Sequence, residues 1–216
     1  MPALNVSDRY ELPDSEPITR ILLHTIAMPL VEPLKTSFGG DPLRPAILVE
    51  LHLGGVTGWG ECVASWEPGY SYETIATAMH ILSDFFIPSL LGKTNLNSLK
   101  RFRGHPMARM AVESAYWAAV AAQRRVPLGT LFQAKERKAK AKVGVSIGIQ
   151  DSIDATIATV DKRLKEGYGR IKLKIKPGWD IEMLHAVRKT FPDISLMADA
   201  NSAYTLDDVE LFKQMD

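Results

Sequence analysis

The chain has 216 residues, a formal net charge of +1, and 46% hydrophobic residues. This length is enough for one or two domains with a buried core, and the balanced charge argues against nucleic acid or a charged membrane surface as a partner. No apolar run approaches the ~20 residues that span a bilayer, and no basic start leads into an apolar run, so neither a membrane segment nor a signal peptide is predicted.

The single cysteine, Cys62, excludes an internal disulfide and fits a reducing cytoplasm. A packed small residue is favoured there over a nucleophile.

The first part of the chain is predicted to form an antiparallel sheet after a loose arm at residues 1–17. Alternating apolar residues predict three strands, at 18–28, 45–53 and 56–64. Gly54 and Gly55 stand between the last two of these strands and are typical of a hairpin turn. Three sequential antiparallel strands make a meander, which needs a helical cover to be stable.

The cover is predicted from two helical segments. Residues 71–91 carry an apolar stripe at helical spacing, and residues 106–124 are apolar on most of their circumference. The basic run at 135–142 is interpreted as a solvated connector, in preference to a site for an anionic partner.

From residue 143 the pattern changes to strands alternating with helices. Strands are predicted at 143–149, 170–176 and 194–199. Helices are predicted to begin after the three capping residues Ser152, Asp180 and Thr205, the last running over 206–215. Strand, helix, strand implies parallel pairing with right-handed crossovers.

The second of these strands and the end of the third bring charged side chains together. Ile171 and Leu173 fall on one side of the strand, whereas Lys172 and Lys174 fall on the other. Asp199 ends the next strand, so the two lysines and one carboxylate are expected to meet at the carboxyl rim of the sheet, where such folds carry their chemistry. Because neighbouring ammonium groups repel each other, we expect one lysine to have a lowered pKa and to accept a proton from carbon.

Two strings identify a family resemblance. Arg-Ile-Lys-Leu-Lys-Ile-Lys-Pro-Gly-Trp-Asp, from Arg170, and Ala-Asp-Ala-Asn-Ser-Ala-Tyr-Thr-Leu, from Ala198, resemble the o-succinylbenzoate synthase / N-acylamino acid racemase family of the enolase superfamily. The resemblance implies an α+β capping domain at residues 1–142, followed by an incomplete (β/α)8 TIM-type barrel at 143–216. Three strand–helix units are recognised here, whereas a closed barrel has eight.

The resemblance also implies the roles of individual residues. Lys174 matches the acid/base lysine, and Lys172 matches its partner, which holds the substrate carboxylate. Asp199 matches a ligand of Mg²⁺ or Mn²⁺, with further ligands expected beyond residue 216. The positions that match substrate contacts are Ser146, Leu34 and Asn201. Asn201 either supports the metal shell or makes an Asx-turn.

Two positions depart from the pattern that the resemblance implies. Leu34 opens the segment 34–40, which resembles the loop that closes over the substrate, and relatives often have an aromatic residue in its place. Ala118 follows Trp117 where relatives commonly have Asp. The departure at Leu34 implies a different pocket wall.

The implied activity is Mg-dependent o-succinylbenzoate synthesis, a dehydration in menaquinone biosynthesis. It proceeds by abstraction of an α-proton and a metal-stabilised enediolate. An N-acylamino acid or N-succinylamino acid racemase is the alternative enzyme, since both use the same lysines. A non-catalytic capping or assembly fragment is the alternative of another class. We expect the 216-residue chain alone to be inactive, and the full-length form to be a cytoplasmic homo-oligomer that acts on a small carboxylate.

Overall fold

The computed structural model describes residues 15–31, 35, 42–69, 71–132 and 141–215. These residues form two compact units. Residues 15–29, 43–69 and 71–132 form the first unit, and residues 30–31, 35, 42 and 141–215 form the second. The domain boundary predicted at residue 142 stays a prediction, and residue 35 lies with the second unit.

The first unit contains the antiparallel sheet that the sequence predicts. Its strands are β1 (Ile18–Pro29), β2 (Leu43–Leu53) and β3 (Val56–Cys62), hydrogen-bonded in the order β1-β2-β3. Gly54 and Gly55 both have positive φ, at 52° and 76°, as a tight turn between β2 and β3 requires. The alternate residues of β2 that face inward are almost fully buried, which explains the alternating sequence.

The helical cover differs in detail from the prediction. The first long helix is split into α1 (Ile75–Ile81), a π-helical segment (Leu82–Phe86) and α2 (Ile87–Leu90). It begins after Thr74, whose side chain forms a capping box with Thr77, so the predicted start at residue 71 is wrong. The second long helix, α3 (Pro106–Gln123), follows the prediction closely. Two 3-10 turns, Asn97–Arg101 and Leu128–Phe132, flank α3 in the chain.

Small residues allow α3 to approach β3 very closely. A Cβ atom placed on Gly58 would lie 1.9 Å from the carbonyl oxygen of Ala115, and one on Gly60 would lie 1.9 Å from that of Ala111. Cys62, on the same strand, is fully buried, and burial raises the pKa of its thiol. This burial favours the interpretation of Cys62 as a packed residue.

A buried carboxylate caps the start of α3. Glu73 is 1% exposed and accepts hydrogen bonds from the backbone amides of Met107, at 2.8 Å, and Ala108, at 3.1 Å. These amides belong to the first turn of α3, where helical N–H groups have no partner within the helix. Because the N-cap residue, His105, makes no side-chain capping bond, Glu73 supplies the cap from another segment.

The second unit contains parallel strands that alternate with helices. Its elements are β4 (Gly144–Ile147), α4 (Ile153–Lys165), β5 (Arg170–Lys174), α5 (Ile181–Thr190), β6 (Leu196–Asp199), a 3-10 turn (Leu206–Asp208) and α6 (Val209–Phe212). The sheet order is β4-β5-β6. The parallel, partial-barrel character is confirmed, whereas the number of strand–helix units stays a prediction. The last helix is much shorter than the predicted 206–215.

Local sequence features determine where these helices begin and which face of β5 is buried. Ser152 caps α4 by accepting from Ala155 N at 3.1 Å, and Asp180 caps α5 by accepting from Ile181 N at 2.7 Å. Thr205 and Asp208 form the predicted capping box. The apolar face of β5 lies in the core of this unit, with the following residues at most 2% exposed: Ile171, Leu173 and Ile175.

Within the described ranges, no helix is long and apolar enough to cross a membrane.

Candidate active site

The two lysines of β5 converge on one carboxylate oxygen. Lys172 Nζ lies 2.6 Å and Lys174 Nζ lies 2.7 Å from the same atom, Asp199 Oδ2. The parallel register explains this arrangement, because Lys174 is the register partner of Asp199 and Lys172 lies two residues earlier on the same face. The side chain of Lys174 is only 10% exposed, whereas that of Lys172 is 29% exposed. The expected meeting of two lysines and one carboxylate is therefore observed.

The surroundings of Asp199 strongly favour its ionised form. The hydrogen bond from Lys172, that from Lys174 and a backbone hydrogen bond from Asn201 hold the pKa of the Asp199 carboxyl far below its usual range. Partial burial acts in the opposite direction but is outweighed. The three side chains together carry a formal charge of +1, which favours the approach of an anion.

Asn201 adds a second oxygen to the site. Its backbone amide donates to Asp199 Oδ1 at 3.0 Å, so the Asx-turn at this point is made by the side chain of Asp199, and the two roles expected for the Asn201 side chain stay predictions. Its side-chain oxygen accepts from Lys174 Nζ at 2.5 Å. Asn201 therefore contacts both partners of the Lys174–Asp199 ion pair.

Ser146 and Leu34 are placed less completely. Ser146 is the register partner of Lys172 on β4, is exposed, and lies in the same row across the sheet. Leu34 lies outside the described residues. The neighbouring Lys35 accepts a backbone hydrogen bond from Ile149 at 2.9 Å and forms an ion pair with Asp151 at 2.8 Å. Position 35 therefore lies near the carboxyl end of β4.

Sequence reasoning missed a contact beside the site. The hydroxyl of Tyr204 donates to Asp180 Oδ2 at 2.8 Å, joining the loop after β6 to the start of α5. Asp180 was interpreted only as a helix cap, and the Tyr204 ring carries no sequence signal for its partner 24 residues away. Lys176, the next lysine after Lys174, is exposed and lies in a turn closed by hydrogen bonds with the backbone of Trp179, so it is not part of the site.

The described residues do not make a metal site by themselves. Asp199 and Asn201 offer side-chain oxygens, whereas Mg²⁺ takes six ligands and relies on carboxylates for its charge. Across the ranges that the structure covers, no three His, Cys, Asp or Glu side chains are grouped so as to hold an ion. Any metal at Asp199 would need ligands from elsewhere and would compete with the two ammonium groups.

Two family models match the chain. The N-terminal domain of the mandelate racemase / muconate lactonizing enzyme family matches residues 19–132, and the enolase C-terminal domain-like family matches residues 155–215. The first match covers the described sheet and helical cover, and the second covers the lysines and Asp199.

Relatives of known name cover nearly all of the chain. It is 42% identical over 206 residues to an o-succinylbenzoate synthase of Geobacillus kaustophilus, covering 92% of this chain and 54% of the relative. It is 43% identical over 204 residues to an N-succinylamino acid racemase of Thermus thermophilus, covering 90% and 54%. The chain therefore spans about half the length of the relatives it matches.

Solved structures agree with these sequence matches. A member of the enolase superfamily from Listeria innocua aligns with a TM-score of 0.79 at 35% identity, covering 92% of this chain and 55% of that one. A protein from Enterococcus faecalis described as an unknown member of the enolase superfamily aligns with a TM-score of 0.81 at 33% identity, covering 93% and 56%.

Proposed function

Since the chain belongs to the enolase superfamily, we propose that its second unit supplies the lysine side of an active site that removes a proton next to a carboxylate. The observation that carries this proposal is the convergence of Lys172 and Lys174 on Asp199 at the carboxyl ends of β5 and β6. Two cations beside one anion provide both a place for a substrate carboxylate and a group that exchanges protons.

Each lysine has a different role in this proposal. Lys174 is the more buried of the two and contacts both Asp199 and Asn201, so its ammonium group is held in one orientation. A fixed position suits a general base, whose reactive nitrogen must meet one particular carbon–hydrogen bond. Lys172 is more exposed and is assigned to hold the substrate carboxylate, with Ser146 beside it in the same row of the sheet. The segment that begins at Leu34 is assigned to the pocket wall.

We assign Asp199 as one ligand of Mg²⁺ or Mn²⁺ in the whole protein. The described residues do not complete the site, so the remaining oxygen ligands must come from outside them. When bound, a divalent cation supplies charge neutralisation for the product of proton removal. The 216-residue chain alone is proposed to be inactive for this reason.

The specific reaction proposed is o-succinylbenzoate synthesis. Relatives of that name from Geobacillus kaustophilus and Bacillus subtilis are 42% and 40% identical to this chain. The second candidate is N-succinylamino acid racemisation, which the 43% identical relative from Thermus thermophilus favours. Both reactions begin with removal of the same kind of proton, so the lysines do not separate them. The full-length enzyme is proposed to be a cytoplasmic homo-oligomer acting on a small carboxylate.

A chimera separates these candidates. Residues 17–215 replace the matching segment of the Bacillus subtilis o-succinylbenzoate synthase, and the product is assayed both for o-succinylbenzoate formation and for racemisation of N-succinylamino acids. Synthase activity that is lost with Lys174→Ala supports the main proposal, and racemisation alone supports the second candidate. A folded chimera with neither activity would favour a non-catalytic capping or assembly role for this chain.

A further inference from the structure

We propose that Tyr204 and Asp180 are positioning residues that hold the turn after β6 so that Asn201 is presented to Lys174. Asp180 is the N-cap of α5, at the end of the loop after β5, and Tyr204 lies in the loop after β6. The contacts of Tyr204 and Asp180 hold Asn201 in place, and any effect of this on catalysis rests on the proposed function.

The turn after β6 has an unfavourable backbone. Asn201 and Ser202 are consecutive non-glycine residues with positive φ, at 46° and 61°. Left-handed residues with a side chain are sparsely populated and persist only where the surrounding structure imposes them. The hydrogen bonds made by the turn itself run from Ala203 N to Ala200 O and from Asn201 N to Asp199 Oδ1. The contact between Tyr204 and Asp180 adds a restraint on the far side of the turn.

Asp180 is a rigid anchor for that restraint. Its Oδ1 accepts from the backbone amide of Ile181 at 2.7 Å, and its Oδ2 accepts from the amide of Gly178 at 3.3 Å. These bonds fix the carboxylate at the first turn of α5, where the helix dipole also favours a negative charge. The hydroxyl of Tyr204 bonds to the same Oδ2 atom at 2.8 Å.

Tyr204 is itself fixed on its other side. Its ring packs edge-on against Phe212 of α6, with 5.0 Å between ring centroids, and joins the core of the second unit. Burial, and then the hydrogen bond to Asp180, raise the pKa of the Tyr204 hydroxyl, so it stays a donor over the whole neutral and moderately alkaline range. Tyr204 therefore connects α6, α5 and the turn after β6.

The link from Tyr204 to Asn201 is short. Only Ser202 and Ala203 separate them, so fixing Tyr204 restricts the directions open to Asn201. If the anchor is lost, Asn201 and Ser202 relax towards right-handed or extended backbone. Lys174 then loses the Asn201 oxygen that it contacts at 2.5 Å, while its bond to Asp199 remains.

The test uses Tyr204→Phe and Asp180→Ser. The first removes only the hydroxyl. The second keeps a good helix cap but shortens the side chain so that it no longer reaches Tyr204. Tyr168→Phe is the matched control, because Tyr168 packs against the same core. The sequence contains four asparagines, so selective ¹⁵N-asparagine labelling gives four side-chain amide signals in NMR spectra, and the Asn201 signal is assigned by its loss in Asn201→Asp.

Both test variants should shift the Asn201 side-chain amide signal and raise hydrogen exchange at the Ala203 amide about tenfold, the factor that one lost hydrogen bond supplies. Amides of β5 and α4 should keep their exchange rates, and Tyr168→Phe should change neither readout. The Tyr204→Phe / Asp180→Ser double variant should match the single variants, since both remove the same contact. An unmoved Asn201 signal in both single variants, or a uniform loss of protection over the second unit, would overturn the proposal.

Kinetic measurements test the effect on catalysis separately from the position of Asn201. In the active chimera, Tyr204→Phe should lower kcat more than it changes KM, because the substrate carboxylate contact at Lys172 is untouched. If the Asn201 signal moves while Lys174→Ala retains full proton exchange, the anchoring is correct and the proposed base is wrong. If Lys174→Ala abolishes exchange while the Asn201 signal stays fixed in Tyr204→Phe, the base is correct and the anchoring is wrong.

Discussion

Lys174 and Asp199 are register partners across the parallel strands β5 and β6, and Lys174 Nζ lies 2.7 Å from Asp199 Oδ2. Lys172, two residues earlier on the same face, reaches the same oxygen at 2.6 Å. The strand period of two thus decides which side chains share the site, because a one-residue slip of β5 would turn both lysines into the core.

The ion pairs at Asp199 predict a loss of stability in acid. The pKa of Asp199 is lowered in the folded protein, so its contribution is fully present above its ordinary pKa, at about pH 4, and is lost as the pH falls further. The free energy of unfolding of the wild type should exceed that of Asp199→Asn by a constant amount from about pH 7 to pH 5, and the difference should shrink below about pH 4. Urea unfolding at several pH values measures this. A difference that stays constant down to about pH 2.5 would contradict the assigned ion pairs.

Metal binding by the 216-residue chain should be very weak. The described residues supply one carboxylate at the site, and that carboxylate is held by two ammonium groups. Calorimetric titration with MgCl2 should give no saturable heat in the micromolar range, and the wild type and Asp199→Asn should behave alike. Micromolar affinity that disappears in Asp199→Asn would show that this chain completes a metal site without further ligands.

Glu73 should be important for the stability of the first unit. Glu73→Ala removes the acceptor for the amides of Met107 and Ala108 in a buried place, and we expect a loss of about 1–3 kcal/mol in the free energy of unfolding. Glu73→Gln keeps an acceptor oxygen and should lose less. Glu210→Ala, which removes an exposed ion pair with Lys213, should stay within about 0.5 kcal/mol of the wild type. Equal effects of Glu73→Ala and Glu210→Ala in chemical denaturation would refute the capping role.

Gly60 should not tolerate a side chain. A methyl group there would meet the Ala111 carbonyl at 1.9 Å, so α3 and β3 would have to separate. Gly60→Ala should lose about 1–3 kcal/mol or more of stability, whereas Gly129→Ala, which meets nothing within 4 Å, should be nearly neutral. Thermal unfolding of the two variants compares them directly, and similar melting temperatures would show that the close approach is not required.

Local patterns in the sequence were sufficient to predict much of the second unit. The alternation around Lys172, the caps at Ser152 and Asp180, and the capping box at Thr205 depend on near neighbours in the chain, and all are observed. Strand ends were predicted less well, because they depend on distant partners. The amide of Ile149 bonds to Lys35 instead of continuing β4, and Lys176 turns back on Trp179 instead of continuing β5.

Other features had no local signal. The π-helical segment Leu82–Phe86 interrupts a stretch whose apolar spacing also suits a continuous α-helix. The Tyr204–Asp180 hydrogen bond joins residues that only the fold brings together. The roles assigned to Lys174, Lys172, Ser146, Leu34, Asn201 and Asp199 came from the family resemblance, and they stay predictions.

The central claim is that Lys174 exchanges the substrate α-proton, and solvent deuterium exchange at that carbon tests it most directly. The measurement is made by NMR on the chimera carrying residues 17–215, with Lys174→Ala, Lys172→Ala and, as the control, Lys176→Ala, which removes an exposed lysine in the turn just after β5. Loss of a general base costs ~10²–10⁴-fold, so Lys174→Ala should abolish measurable exchange, Lys172→Ala should leave a weak remnant, and Lys176→Ala should exchange like the parent chimera. Unchanged exchange in Lys174→Ala would contradict the account.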